Sequence, residues 1–213
     1  PHGTVILAEH QTAGKGRLGR SWVSSPNKNI YCSVILKRPG LKEHLPWVPL
    51  VTGLAIAEAI QTKHSTTLSL KWPNDLLVGD KKLGGILCEG TTRKGEASAL
   101  IVGFGVNVNS TSEDFPPDLH TISTSLYQES RRLCNRNSLL SSILNNLEKW
   151  YGQLAMHDLD GIHSAYSASC STLGTDVYCT LTGSHDVKGR ATEIGKDGSL
   201  YVTPFEAGAK KTI

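Results

Sequence analysis

The 213-residue chain has few cysteines, few aromatic residues and no apolar run long enough to span a membrane. Its five cysteines are scattered, odd in number and free of C-x-x-C spacing, which argues against a disulfide framework and against a zinc site. We therefore predict a reducing, cytoplasmic location and no membrane association. The chain begins at Pro1, so an organelle remains an alternative if a targeting segment lies upstream.

The chain also lacks a large excess of either charge. It has 22 Lys and Arg residues and 19 Asp and Glu residues, so its formal net charge is +3. This balance is too mild to indicate general nucleic-acid binding. The length suits one domain of ordinary size with a small appendage.

Positive charge is instead local, in the run GKGRLGR at residues 14–20, which combines three cations with three glycines. Glycine lets backbone N–H groups approach a ligand, and Arg17 and Arg20 can hold phosphate oxygens. The run matches G-x-G-x-x-G, but no helical period follows it, which weakens a dinucleotide site. A solvated basic turn is the plainer alternative. A charged loop that becomes ordered on an anionic ligand fits better.

Hydrophobic periodicity predicts a mixed fold. Predicted strands cover residues 4–11, 29–37, 68–71, 83–89 and 97–106, and predicted helices cover 45–63, 140–154 and 160–168. The last three of these strands are expected to be antiparallel neighbours, with turns at 79–80 and 93–95. Residues 109–137 are expected to form a loop or short helix. Short strands at 176–181, 189–194 and 199–203 then predict a small barrel-like module, with a hairpin turn at 196–198.

The pentapeptide KWPND at residues 71–75 stands where a predicted strand ends. Proline cannot continue a central ladder, so we expect Asn74 and Asp75 to lie in a loop. Turn chemistry alone could explain them, but the neighbouring Lys71 and Trp72 favour a ligand site. Asp75 could hold a hydrated Mg²⁺ or fix an arginine of the basic loop.

Two further strands contain glycines, at KKLGGIL (81–87) and GFGVNVN (103–109). Glycine inside a strand often marks the close approach of a ligand or of another backbone segment. A lysine at the start of the first strand could neutralise a phosphate or oxyanion, or simply cap an exposed edge. Asn107 offers the donor and acceptor that match an adenine edge, although asparagine at a strand end is usually a turn former.

Together these four motifs resemble those of the biotin protein ligase family. The family's basic loop reads GRGRxGR-xW, KWPND matches letter for letter, and KLGGIL and GFGVN match the two glycine strands. The stretches 115–119, 123–126 and 188–200 are weaker matches. Two departures stand out, since Lys15 replaces a commoner arginine and the family's upstream strand and helix are missing.

The resemblance implies an α+β fold with a mixed, largely antiparallel sheet and helices. This would be a class II synthetase-like catalytic domain over residues 1–170, with a small C-terminal SH3-like β-barrel over 171–213. It also implies a two-step reaction, in which biotin and Mg²⁺·ATP give biotinyl-5′-AMP, and biotin then passes to a lysine on the biotin carboxyl carrier domain of a carboxylase. Lipoate-type ligases are an alternative, although they lack KWPND, and a non-catalytic biotin-binding fragment is another. We do not expect this chain to contain the DNA-binding segment that some family members carry. The resemblance is also compatible with a homodimer.

The resemblance also implies roles for individual residues. Lys82 and Arg17 would be catalytic. The biotin site would comprise Gln11, Gly14, Lys15, Gly16, Arg17, Lys82, Gly84, Gly85, Ile86, Gly103 and Gly105. The ATP or AMP site would comprise Arg17, Arg20, Trp22, Lys71, Asn74, Asp75, Lys82 and Asn107. Asp75 would touch Mg²⁺ at most indirectly.

Overall fold

The structure, a computed structural model, describes residues 1–37, 44–93, 96–180, 186–205 and 211–212. In chain order its elements are β1 (Thr4–Ala8), β2 (Ile30–Leu36), α1 (Trp47–His64), β3 (Ser69–Lys71), β4 (Asp75–Val78), β5 (Lys81–Arg93), β6 (Glu96–Val106), α2 (Leu126–Ser130), α3 (Arg136–Ala155), α4 (Leu159–Ser169), β7 (Asp176–Cys179), β8 (Val187–Ile194), β9 (Leu200–Pro204) and β10 (Lys211–Thr212). None of the helices in these ranges is both long and apolar enough to cross a bilayer.

The main sheet has six strands in the order β1-β2-β6-β5-β4-β3, and every neighbouring pair is antiparallel. The α+β fold with a largely antiparallel sheet, which the resemblance implied, is confirmed, and in the described strands the pairing is antiparallel throughout. One neighbour relationship was wrong, because β4 lies between β3 and β5. Asp75 begins β4 and pairs with Lys71, so it does not lie in a loop as predicted. The chain reverses within residues 72–74, and the predicted turn at 79–80 joins β4 to β5.

Helix α1 lies between the main sheet and α3. It is buried on nearly every side, which fits a helix that is apolar all round. Helix α3 is amphipathic instead, with Leu139, Ile143, Leu147, Tyr151 and Leu154 buried along one face. The predicted helices at 45–63, 140–154 and 160–168 are thus present as α1, α3 and α4. With both long helices on one face, the opposite face of the sheet is left for a site.

The second sheet has the order β10-β9-β8-β7 and is also antiparallel. The predicted hairpin turn at 196–198 joins β8 to β9. This turn is held against the rest of the molecule by two indole N–H groups, since Trp47 donates to the carbonyl of Lys196 and Trp72 to that of Gly198, each at 3.0 Å. Residue 181 of the predicted 176–181 strand and residues 94 and 95 of the predicted 93–95 turn lie outside the described residues. The boundary at residue 170 and the SH3-like barrel stay predictions.

Candidate functional site

The basic loop folds back over the open face of the main sheet and encloses a cavity of about 380 Å³. Two backbone hydrogen bonds shape the loop, from Trp22 N–H to the carbonyl of Gly14 at 2.8 Å and from Gly16 N–H to that of Arg20 at 2.7 Å. The structure brings most of the predicted site residues to the wall of this cavity: Gln11, Lys15, Gly16, Arg17, Arg20, Trp22, Asn74, Asp75, Lys82, Gly85, Ile86, Gly103 and Gly105.

Glycines form the centre of the cavity floor. Gly105 on β6 pairs with Gly85 on β5, and Gly103 pairs with Leu87. The Trp22 indole occupies the space that the missing side chains leave, since a Cβ at Gly105 would lie 2.6 Å from the ring and one at Gly85 would lie 3.2 Å from it. The indole N–H is buried and has no hydrogen-bond partner among the described residues. The glycines therefore admit a flat group above the sheet.

Lys82 and Asp75 form an ion pair on one wall, with 2.7 Å between the ammonium nitrogen and a carboxylate oxygen. The register between β4 and β5 shifts at Leu76/Leu77, so that Leu77 pairs with Lys82. Such an irregularity in the ladder re-aims the side chains around it. The Lys82 backbone is also held from outside the sheet, because its N–H donates to the carbonyl of Ile122 at 2.7 Å. The position of the ammonium is thus set by β4, β5 and the loop before α2.

Arg17 reaches across the cavity and donates to the side-chain oxygen of Asn74 at 3.0 Å. Asn74 is fixed in turn by Ile86, because its side-chain nitrogen donates to the Ile86 carbonyl and its own carbonyl accepts from the Ile86 N–H, both at 2.9 Å. The turn inside KWPND therefore serves as an anchor for the basic loop. Arg17, Lys82 and Asp75 consequently face one space.

Four predicted site residues do not line the cavity. Gly14 packs on the backbone of Trp22, Gly84 packs on the Gly105 carbonyl, and Lys71 is exposed at the end of β3. Asn107 is only 5% exposed, and its side-chain nitrogen donates to the Thr124 carbonyl at 3.0 Å. These four support the walls or lie beside the cavity, and their ligand contacts stay predictions.

The sequence analysis missed several wall residues, among them Ser33, Leu87, Glu89 and Ile101. Ser33 had a signal that could have revealed it, since it is the polar residue in the middle of the apolar strand β2 and pairs with Gly103. Glu89 had none, because an exposed acid near a strand end is common. Asp75 and Glu89 are the carboxylates of the cavity wall among the described residues. Within those residues no group of three or more His, Cys, Asp or Glu side chains could hold a metal ion.

The chain is similar in sequence to known protein ligases. The model of the biotin/lipoate A/B protein ligase family matches residues 1–107. The bifunctional ligase/repressor BirA of Bacillus spizizenii is 34% identical over 212 residues, which cover 99% of this chain and 64% of the relative. The biotin–[acetyl-CoA-carboxylase] ligase of Mycobacterium tuberculosis is 32% identical over 206 residues, covering 93% of this chain and 72% of the relative.

The fold is also similar to that of a solved protein structure. The biotin protein ligase from Aquifex aeolicus in complex with biotin and ATP superimposes with a TM-score of 0.86 at 29% sequence identity. The match covers 100% of this chain and 86% of the other. The class II synthetase-like fold implied by the sequence motifs is thereby confirmed.

Proposed function

This chain belongs to the biotin protein ligase family, and from that premise we propose that it activates biotin with ATP and transfers the biotinyl group to a lysine of a biotin carboxyl carrier domain. The chain spans 64% of the length of its Bacillus relative, so the proposal rests on the site itself. The observation that carries it is the convergence of Arg17, Lys82 and Asn74 over a glycine floor.

In the first step an oxygen of the biotin carboxylate attacks the α-phosphorus of ATP, and the bond to pyrophosphate breaks. Negative charge accumulates where two anions meet, so cations fixed beforehand stabilise the transition state. Arg17 and Lys82 supply these cations, and each charge-assisted hydrogen bond contributes roughly 1.5–3 kcal/mol. Lys15 and Arg20 add positive charge to the loop that closes the cavity.

Biotin is placed over the β5 and β6 glycines, with Gln11 and the basic loop above it. The ring system of biotin needs apolar walls and a few backbone partners, and the floor at Gly103, Gly105 and Ile86 offers both. The Trp22 indole lies on the same floor, and its buried N–H has no hydrogen-bond partner among the described residues. We assign Trp22 to the junction between biotin and the adenosine.

The nucleotide is placed at the Asn74, Asp75 and Lys82 wall, with Arg20 on the opposite side and Lys71 near the end of β3. For Asn107 to recognise adenine, the base must reach its second amide N–H and its carbonyl oxygen, because one N–H already donates to the Thr124 carbonyl. Mg²⁺ is expected to arrive with the nucleotide, because it usually keeps its waters and binds through phosphates and one or two carboxylates. Asp75 fits this requirement as a carboxylate on the phosphate side, and the ion would neutralise phosphate charge.

In the second step the neutral amine of the acceptor lysine attacks the acyl carbon of biotinyl-5′-AMP, and AMP leaves. The mixed anhydride is open to hydrolysis, so exclusion of water protects it between the two steps. The glycine-rich loop that covers the cavity can provide this protection. The cytoplasmic location, the homodimer and the absence of a DNA-binding segment remain predictions.

The test separates the two half-reactions in the purified chain. Biotin-dependent ATP–pyrophosphate exchange reports the first, and streptavidin detection of a biotin carboxyl carrier domain reports the second. Lipoate replaces biotin in a parallel reaction. We expect exchange and labelling with biotin alone. Exchange driven by lipoate would assign the chain to the lipoate-type ligases, and biotin binding without exchange would make it a non-catalytic fragment.

A further inference from the structure

A second cavity of about 430 Å³ lies between the main sheet and the β8–β9 turn. Its outer wall is the turn residues Asp197, Gly198 and Ser199, and its inner wall comes from the KWPND turn and β5. The contact between the two parts is close, since a Cβ at Gly198 would lie 3.4 Å from Pro46. The cavity is therefore formed where the second sheet meets the first.

The second cavity adjoins the main one, because Arg17, Asn74, Ile86 and Leu87 line both. The hydrogen bond between Arg17 and Asn74 lies on this common boundary. A group that occupies the second cavity thus lies beside Arg17. It could do so while biotin and the nucleotide fill the main cavity.

The walls of the second cavity are mostly apolar. Pro46, Pro49, Pro73 and Trp72 contribute, and the Trp72 indole N–H is already bonded to the Gly198 carbonyl. Burial raises the pKa of Cys88 to about 12, so this wall thiol is neutral. Such a lining suits a chain of methylene groups.

Two opposite charges mark the two sides of this cavity. Asp197 is exposed on the outer turn, and hydrogen bonds from the Ser199 hydroxyl and N–H hold the pKa of its carboxyl below its usual value. Its carboxylate would attract an ammonium group to the entrance. Arg17, on the inner side, repels an ammonium and favours the neutral amine, which is the nucleophilic form.

We propose that the second cavity admits the side chain of the acceptor lysine, with its methylenes on the proline and tryptophan wall and its entry aided by Asp197. This inference rests on the proposed function. The ammonium loses a proton to solvent and the neutral nitrogen bonds the acyl carbon. The bond from that carbon to the phosphate oxygen breaks with its electrons on AMP, and a second amine proton passes to solvent.

The experiment compares the same two half-reactions in variants of the second cavity. Asp197→Lys reverses the entrance charge, and Pro49→Trp fills the cavity from α1. The matched control is Asp80→Lys, which places the same change in the exposed β4–β5 turn outside both cavities. Transfer is measured from biotinyl-5′-AMP to a recombinant biotin carboxyl carrier domain at a concentration below saturation.

We expect Asp197→Lys to slow transfer about tenfold at low salt and less at high salt, while pyrophosphate exchange stays within about twofold of the wild type. Pro49→Trp should slow transfer at both salt concentrations, and Asp80→Lys should change neither reaction. Unchanged transfer in Asp197→Lys and Pro49→Trp, or an equal fall in both half-reactions, would overturn the lysine route alone. A wild-type chain without exchange would instead overturn the proposed function.

Discussion

The Lys82 ammonium lies 2.7 Å from the Asp75 carboxylate, on adjacent strands that a shift in register brings together. The two side chains remain 37% and 26% exposed, so solvent weakens their attraction and the pair adds little to folding stability. The ion pair instead fixes the position of the Lys82 ammonium, because Asp75 holds it at the cavity wall before a ligand arrives. A cation fixed in advance is more effective in catalysis than a mobile one.

We predict that Lys82→Ala reduces biotin-dependent pyrophosphate exchange by about 10²–10³-fold, the usual effect of removing one group that stabilises transition-state charge. The neighbouring Lys81 provides the control, since it is exposed and absent from the cavity wall. Lys81→Ala should leave the exchange rate unchanged. Near-normal exchange in Lys82→Ala would remove Lys82 from the first step.

Arg17 is predicted to retain the adenylate rather than only to form it. Its guanidinium joins the basic loop to Asn74, so Arg17→Gly removes both a cation and the anchor of the loop. We expect biotinyl-5′-AMP to escape and to biotinylate unrelated proteins. Serum albumin added to the reaction and probed with streptavidin measures this escape.

A matched control for this substitution is Arg131→Gly. Arg131 ends α2 with a φ of 57°, which glycine adopts without strain, and it lies away from the cavity. This variant should leave albumin unlabelled. If Arg17→Gly retains the intermediate as well as the wild type does, the retention role is wrong.

The glycine floor leads to a third prediction. A methyl group at Gly105 would lie 2.6 Å from the Trp22 indole, so Gly105→Ala must displace the ring and raise the floor. Overpacking of this kind costs about 1–3 kcal/mol of folding stability. Because the displaced indole also takes space that biotin needs, we expect biotin affinity measured by calorimetry to fall about tenfold, or about 1.4 kcal/mol. Gly90→Ala on β5 is the control, because a Cβ there meets nothing within 4 Å. Equal affinities in the two variants would contradict a glycine-lined biotin site.

The sequence indicated the floor and the basic loop because four motifs with glycine or clustered charge occur together in one chain, although each motif alone has a plain structural explanation. It did not predict β4, since four residues directly after a proline turn carry too short a pattern to separate strand from loop. Nor did it predict that Asn107 would be buried against Thr124. Residue type indicates what a side chain can bind, whereas the direction in which it points depends on strand register.

Folding stability is coupled to pH at a contact between a cysteine and a histidine that lies far along the chain from the basic loop. The Cys134 sulfur lies 2.9 Å from Nε2 of His64, at the end of α1. Burial lowers the pKa of His64 and raises that of the Cys134 thiol to about 11. Both groups are therefore neutral near pH 7, and the thiol can donate a hydrogen bond to the imidazole nitrogen. A protonated imidazole cannot accept this hydrogen bond.

The sign of the pH dependence follows from these shifts. The unfolded chain has a histidine pKa of about 6.5, above that of folded His64, and therefore binds more protons as the pH falls below this value. The contribution of His64 to stability is complete above about pH 6.5 and is lost as the pH falls through its folded pKa. The pKa values of Asp114 and Asp197 are also lowered, but they change the free energy of unfolding only below about pH 4. They therefore do not affect the comparison between pH 7 and pH 5.

We expect the free energy of unfolding, measured in urea, to fall less between pH 7 and pH 5 in His64→Asn than in the wild type. Replacing the exposed His10 by asparagine is the control and should leave the wild-type slope intact. The variant should also be less stable than the wild type at pH 7, because asparagine is shorter than histidine and leaves no acceptor at the position of Nε2. Parallel pH profiles in all three proteins would show that the His64–Cys134 contact does not couple folding to protonation.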